Sequence, residues 1–234
     1  MEKYFDDKEL GRVIIKLNPR AKSYSVKIKN GEVYAVMPEC GNIDYMLSFI
    51  LKNKGKIKSI LDSQPKHSVI SENSVIKTAS FQVNIYRCER ENFYMSLKNG
   101  ILNIACPNFT DFNRSEIQEI LNNMLISAMR HEAKRLLPQR ALVLARKFGF
   151  SFKQIKINSS KSRWGSCSTS KNINLSLFLM RLPWHLIDYV ILHELCHTIE
   201  MNHSDRFWAL MDKVTDNKAK ALRAEMKGIS INSW

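Results

Sequence analysis

Ile187-Asp188-Tyr189-Val190-Ile191-Leu192-His193-Glu194-Leu195-Cys196-His197 carries an HExxH pattern, and His203 follows after five intervening residues. On a helix, positions i and i+4 share a face, so His193 and His197 direct two imidazoles at one ion. The surroundings favour a helix here. Pro183 suits a first helical turn, and Leu186, Ile187, Val190, Ile191, Leu195 and Ile199 supply the apolar neighbours of a buried one. Five residues allow the chain to leave the helix and turn a third imidazole, His203, back towards the ion. A fourth position then stays open, which is the arrangement of a catalytic zinc site rather than a structural one.

Glu194 is the second reason to expect catalysis, since a structural site with four protein ligands has no use for a carboxylate beside its first histidine. In such a site the ion lowers the pKa of water from about 15.7 to roughly 7, and Glu194 is the natural base to accept the proton. The chemistry expected is hydrolysis of an amide, with one Zn2+ per chain and another divalent ion left open. Glu200 is a rival ligand at i+3 from His197, but using it would require the helix to bend. His203 is preferred because Ser204 can cap a following helix, with Asp205 in its first turn. Cys167 offers a different completion, although its Trp-Gly-Ser-Cys-Ser setting assigns it to a strand or turn bordering the cleft.

Other histidines and cysteines lack this support. His131-Glu132 sits in a helical pattern with Arg135 where a second imidazole would be needed, so it is expected on a solvated helix face. His185 and His67 are expected as surface or capping residues. Cys196, beside His197, is expected as a small buried side chain.

A wider set of residues carries a family likeness. Lys161-Ser162-Arg163-Trp164-Gly165-Ser166-Cys167-Ser168, then Asn172-Ile173-Asn174-Leu175, the HExxH helix, Asn202-His203-Ser204 and Phe207-Trp208 together resemble the YgjP-like family of zinc metallopeptidases. The likeness is strongest between about residues 160 and 210 and looser in the first half. It implies a zincin-type hydrolase, distantly SprT-like, with His193, His197 and His203 as metal ligands and Glu194 as base. It supplies no substrate beyond a peptide or protein. Glu200 stands where metzincins place a turning glycine, so that narrower label does not apply.

Arg163, Trp164, Gly165, Ser166 and Cys167 are the candidate substrate-binding residues. Zincins generally run a strand edge beside the metal, and the run Asn172–Leu179 is the candidate for that edge. Arg163 is a further candidate for stabilising an oxyanion.

The rest of the chain sets the frame. Its 234 residues, 44% of them hydrophobic and 25% charged, are ordinary globular usage. Five cysteines without close pairing, and the absence of a basic, apolar start or a long apolar run, lead us to expect a cytoplasmic protein without a membrane span. Strands are expected at Arg12–Leu17, Ser23–Lys29, Glu32–Met37, Val75–Tyr86, Phe93–Leu97 and Ile101–Ala105, with hairpin turns at Asn30-Gly31 and Asn99-Gly100. Helices are expected over Ile43–Leu61 and from Ser115 to about Phe148, the latter broken or kinked at Pro138, then the metal helix and a last helix from Ser204. One or two strands should fall within Phe152–Leu179. This order is α+β without sequence repeats: a β-rich N-terminal module over 1–110 and a helical, zincin-like catalytic part over 111–234.

The net charge of +14 raises a second class of function, a basic module that binds nucleic acid or protein around a non-catalytic HExxH site. Lys52-Asn53-Lys54-Gly55-Lys56-Ile57-Lys58 is its densest basic stretch. Lysines are scattered along the whole chain and no nucleic-acid motif is present, so this reading stays second.

Overall fold

The structure, a computed structural model, describes residues 3–29, 32–63, 69–229 and 231. The chain forms two compact units, residues 1–68 and 69–233. The boundary expected between residues 110 and 111 falls within the second unit. The expected hairpin at Asn30-Gly31 and the surface role of His67 lie outside the described residues.

In the first unit, strands β1 (Lys3–Asp7), β2 (Gly11–Leu17), β3 (Ser25–Lys29) and β4 (Glu32–Met37) form a sheet of order β1-β2-β4-β3. Alternation decides its faces. Val33, Ala35 and Met37 of β4 are buried at every second position, with Val13 and Ile15 beside them. Helices α1 (Ile43–Lys52) and α2 (Lys54–Ser63) cover that face with Met46, Ile50 and Ile57. The single helix expected over Ile43–Leu61 is thus divided at Asn53, whose backbone N–H and side-chain amide both bond to the carbonyl of Phe49.

The second unit begins with β5 (Gln82–Cys88), β6 (Tyr94–Lys98) and β7 (Ile101–Pro107) in the order β5-β7-β6. The expected strand from Val75 is shorter, since regular pairing starts only at Gln82. The Asn99-Gly100 turn forms as expected, with both residues at positive φ, 52° and 75°. Helix α3 (Ser115–Phe148) runs 34 residues without a break through Pro138. Pro138 frees the carbonyl of Lys134, and both residues lie towards the outer side of the helix, Lys134 exposed and Pro138 half-buried, so water can satisfy that oxygen.

Three strands follow where one or two were expected: β8 (Gln154–Asn158), β9 (Gly165–Cys167) and β10 (Asn172–Ser176), in the order β8-β10-β9. A short 3-10 segment, Leu177–Arg181, leads into α4 (Trp184–Cys196), and α5 (Asp205–Val214) and α6 (Ala219–Lys227) end the described fold. All three sheets share one topology. In each, the first strand of a trio pairs parallel with the third, and the second pairs antiparallel with it, as for β2-β4-β3, β5-β7-β6 and β8-β10-β9. Each trio is followed by helix, giving an α+β architecture built on a recurring unit that has no counterpart in the amino-acid pattern.

Candidate metal centre

Helix α4 is where the site starts. Leu186, Ile187, Ile191 and Leu195 are essentially fully buried, each such side chain contributing about 1.5–3 kcal/mol on removal from water. Two polar contacts fix the orientation of α4. Trp184 Nε1 donates to the carbonyl of Ala79 at 3.0 Å near the start of the helix. Further along, Arg140 of α3 grips Asp188 with two nitrogens, Nε reaching Oδ1 at 2.7 Å. The forked geometry is the strong form of this ion pair.

The helix ends at the metal motif itself. His197 is the C-cap of α4, and the chain turns through Thr198, whose backbone N–H bonds to Leu195, and Ile199, whose N–H bonds to Cys196. His203 returns immediately before Ser204, which takes the N-cap position of α5 with Asp205 in the first turn. The three rings then converge. His193 Nε2 lies 3.2 Å from His197 Nε2 and 3.0 Å from His203 Nε2. Ligand nitrogens around a tetrahedral zinc, each about 2.0–2.1 Å from it, stand about 3.3 Å apart, so the spacing fits one ion. The three ligand atoms lie within 4.8 Å of one another, and no other such cluster of His, Cys, Asp or Glu occurs among the described residues.

The protonation pattern fits as well. A carbonyl can only accept, so His197 Nδ1–H donates to Glu200 O at 3.0 Å, which leaves Nε2 facing the other imidazoles. Burial pushes the His193 pKa down to about 3, helped by the neighbouring His197 and His203, and burial also lowers that of His203. Neutral imidazoles are the form a metal binds. His193 Nδ1 is buried without a hydrogen-bond partner.

Phe207 of α5 is the floor of this cluster. It is fully buried and stacks on His197 with ring centroids 4.5 Å apart, while its centroid lies 4.9 Å from that of His193 and 4.8 Å from that of His203. Trp208 stacks against His203, and Arg223 of α6 lies over the Trp208 ring at 4.7 Å.

Glu194 is buried, and burial pushes its pKa up to about 8 against the opposing pull of Arg163. Its Oε2 has no hydrogen-bond partner. Gly165 on β9 is what makes room for it: a Cβ at that position would stand 2.6 Å from Glu194 Oε1. The candidate substrate-binding segment is therefore in the neighbourhood of the expected base. Ser166 and Cys167 continue β9, Trp164 extends its pairing by accepting from Ser176 N–H, and Arg163 is exposed.

Several expectations change in detail. The strand edge is β9 and not the Asn172–Leu179 run, because β10 is already paired on both sides and residues 177–181 are 3-10 helix. Glu200 contributes its backbone carbonyl to His197 rather than a carboxylate to the cluster. Cys167 Sγ lies near the carbonyl of Ser168, and its thiol pKa is raised by burial and by Glu194. His131 is exposed, but Glu132, expected beside it on a solvated face, is buried and bonded to Arg135. His185 pairs with Glu225 at the surface, and Cys196 is buried. The expected final helix is two helices, α5 and α6. Of the basic stretch, Lys54 is drawn to Asp7 and Glu9, and Lys58 to Glu9.

Sequence reasoning did not single out the Arg140–Asp188 clamp or Arg223, since nothing local links residues 48 positions apart. Phe207 carries a weak signal, an aromatic at i+4 from His203.

Among the described residues no helix is long and apolar enough to cross a membrane. No curated protein matches the chain. Among solved structures, the metallopeptidase zymogen of Pyrococcus abyssi abylysin is similar at 20% identity and a TM-score of 0.37, over 40% of this chain and 93% of that one. The family model for the YgjP-like metallopeptidase domain matches residues 22–228. The chain therefore belongs to the YgjP-like metallopeptidase family.

Proposed function

We propose that the protein is a zinc-dependent peptidase that hydrolyses peptide bonds with His193, His197 and His203 holding one Zn2+ and Glu194 acting as base. The observation that carries this reading is the meeting of three imidazole nitrogens beside a buried glutamate with an unpartnered oxygen. A zinc ion held there would polarise a carbonyl and would bring the pKa of water to about 7.

The chain's own residues supply the rest. Glu194, buried with an unpartnered oxygen, is assigned to take a proton from the attacking water as it reaches the scissile carbon. The proton it then holds is delivered to the leaving amide nitrogen as the C–N bond breaks, restoring the carboxylate. Exposed Arg163 is close enough to bias the charge of Glu194 and is assigned to steady negative charge that develops on the substrate. The free edge of β9 offers backbone groups to an extended peptide, with Ser166 and Cys167 alongside. All of these residues fall within the catalytic part assigned to 111–234. Five free cysteines suit a reducing cytoplasm.

Two preparations test the reading together. Wild type purified without added metal should carry about one zinc per chain by elemental mass spectrometry, and His203→Ala should lose most of it. Glu194→Gln should keep the zinc and the fold while peptide turnover is abolished. Undiminished turnover in Glu194→Gln would remove Glu194 from the mechanism, whereas stoichiometric zinc without any turnover in the wild type would favour a binding module.

A further inference from the structure

Between Glu132 and Asp188 the chain contains no Asp or Glu, although it is rich in Lys and Arg. This interval holds the whole β8-β10-β9 sheet, and the tertiary structure sorts it into two unlike faces. Ile155, Ile157, Ile173 and Leu175 lie on the face of Gly165, the one that meets α4 and Glu194. The register places Lys156, Asn174 and Ser166 in one row across the opposite face, next to Gln154 and Asn172. These paired rows are polar.

Five cations lie on this sheet and the segments that enter its strands. Lys153 and Lys171 sit together at one end of the sheet, where Lys153 N–H donates to Lys171 O at 2.9 Å. Lys156 stands on the face, and Lys161 and Arg163 lie on the loop entering β9. All five are exposed, and none has an ion-pair partner among the described residues. The acidic groups that come closest along the chain are already engaged or removed from solvent: Glu132 with Arg135, Asp188 with Arg140, and Glu194 buried. Like charges gathered on one small sheet repel one another, and an anionic ligand relieves that repulsion.

Resting on the peptidase reading above, we propose that this acid-free basic rim of the β8-β10-β9 sheet selects acidic polypeptide, so that preferred substrates carry Asp or Glu near the scissile bond. One feature favours a peptide over single-stranded nucleic acid: the free edge of β9 matches extended peptide backbone.

The test is binding to zinc-loaded Glu194→Gln protein, followed by fluorescence anisotropy. The probes are a labelled Glu-rich peptide, its Gln and Lys counterparts, and a single-stranded oligothymidylate of charge equal to that of the Glu peptide. The Glu peptide should bind at least about tenfold more tightly than the Gln peptide, with the Lys peptide weakest, since exposed ion pairs contribute modestly each and the effect rests on several. The preference should shrink towards parity as salt is raised to about 0.5 M. It should also collapse in Lys153→Glu/Lys156→Glu/Lys171→Glu protein, with an unchanged melting curve and zinc content certifying the fold; a neutral Gln triple substitution serves if charge reversal prevents folding.

Equal binding of the Glu and Gln peptides overturns the proposal, and so does tighter binding of the oligothymidylate. Wild-type turnover of the same peptides separates this from the parent reading. Cleavage without charge preference sinks the basic-rim proposal alone, whereas charge-selective binding without cleavage upholds the surface and sinks the peptidase.

Discussion

Gly165 and Glu194 are in direct apposition, so close that a single added carbon on Gly165 would fall 2.6 Å from Oε1 and 2.7 Å from Cγ of the glutamate. The strand that borders the site and the residue assigned as its base are thereby coupled. Gly165→Ala should push Glu194 out of position while sparing the histidines, because the groups it strikes are the outer atoms of one side chain. We expect kcat/KM to fall about 100-fold, the order of effect of a displacement of about 1 Å, with zinc content unchanged. Full turnover in this variant would show that Glu194 tolerates displacement.

Phe207 touches all three imidazoles, so its loss should be felt in both stability and metal binding. Phe207→Ala should lower the unfolding free energy by about 3–5 kcal/mol, measured by urea denaturation, and weaken zinc retention against a chelator. Phe207→Leu should recover most of the stability. If chelator resistance is equally unaffected in both variants, the ring has no part in holding the histidines.

The Arg140–Asp188 clamp joins α3 to the metal helix at a partly exposed position, the two side chains being 40% and 21% accessible. Either Arg140→Ala or Asp188→Asn should cost about 1–2 kcal/mol. In a double-mutant cycle the coupling should be about 1 kcal/mol. Additive single effects would mean that the pair does not hold α4.

Asp7 gives the first unit a defined acid response. Its pKa is lowered from 3.8 to about 2 by the backbone N–H of Glu9, then by Lys54 and the N–H of Leu10. A carboxylate depressed in the folded state stabilises above its unfolded pKa, and the contribution disappears as pH falls through the folded one. Stability should therefore drop between about pH 4 and pH 2, and Asp7→Asn should flatten that part of the profile in thermal melts. An identical acid limb in the variant would refute the assignment.

Spacing made the metal helix legible, because i and i+4 project to one side of any helix whatever packs around it. The Asn99-Gly100 turn was legible for a similar reason, since its positive φ values are a local demand. Pro138 shows the limit of local rules: a residue expected to interrupt α3 is carried within it because burial along both halves outweighs one lost hydrogen bond. The strand edge was misplaced for a related reason. The pattern Asn172-Ile173-Asn174-Leu175 announces a strand but is silent about how many neighbours it has.

By itself, then, the sequence determined the residue types and short-range geometry of the site: two imidazoles one turn apart, a carboxylate beside the first, and a loop long enough to bring His203 near. Only tertiary structure decided that β10 is central and β9 the edge, that three sheets repeat one topology, and that Phe207, Gly165 and Arg140 converge on α4. The physical reason is range. Helix periodicity and turn chemistry act over a few residues, whereas strand order and packing are settled by which distant apolar faces bury one another, and that information is spread over the whole chain.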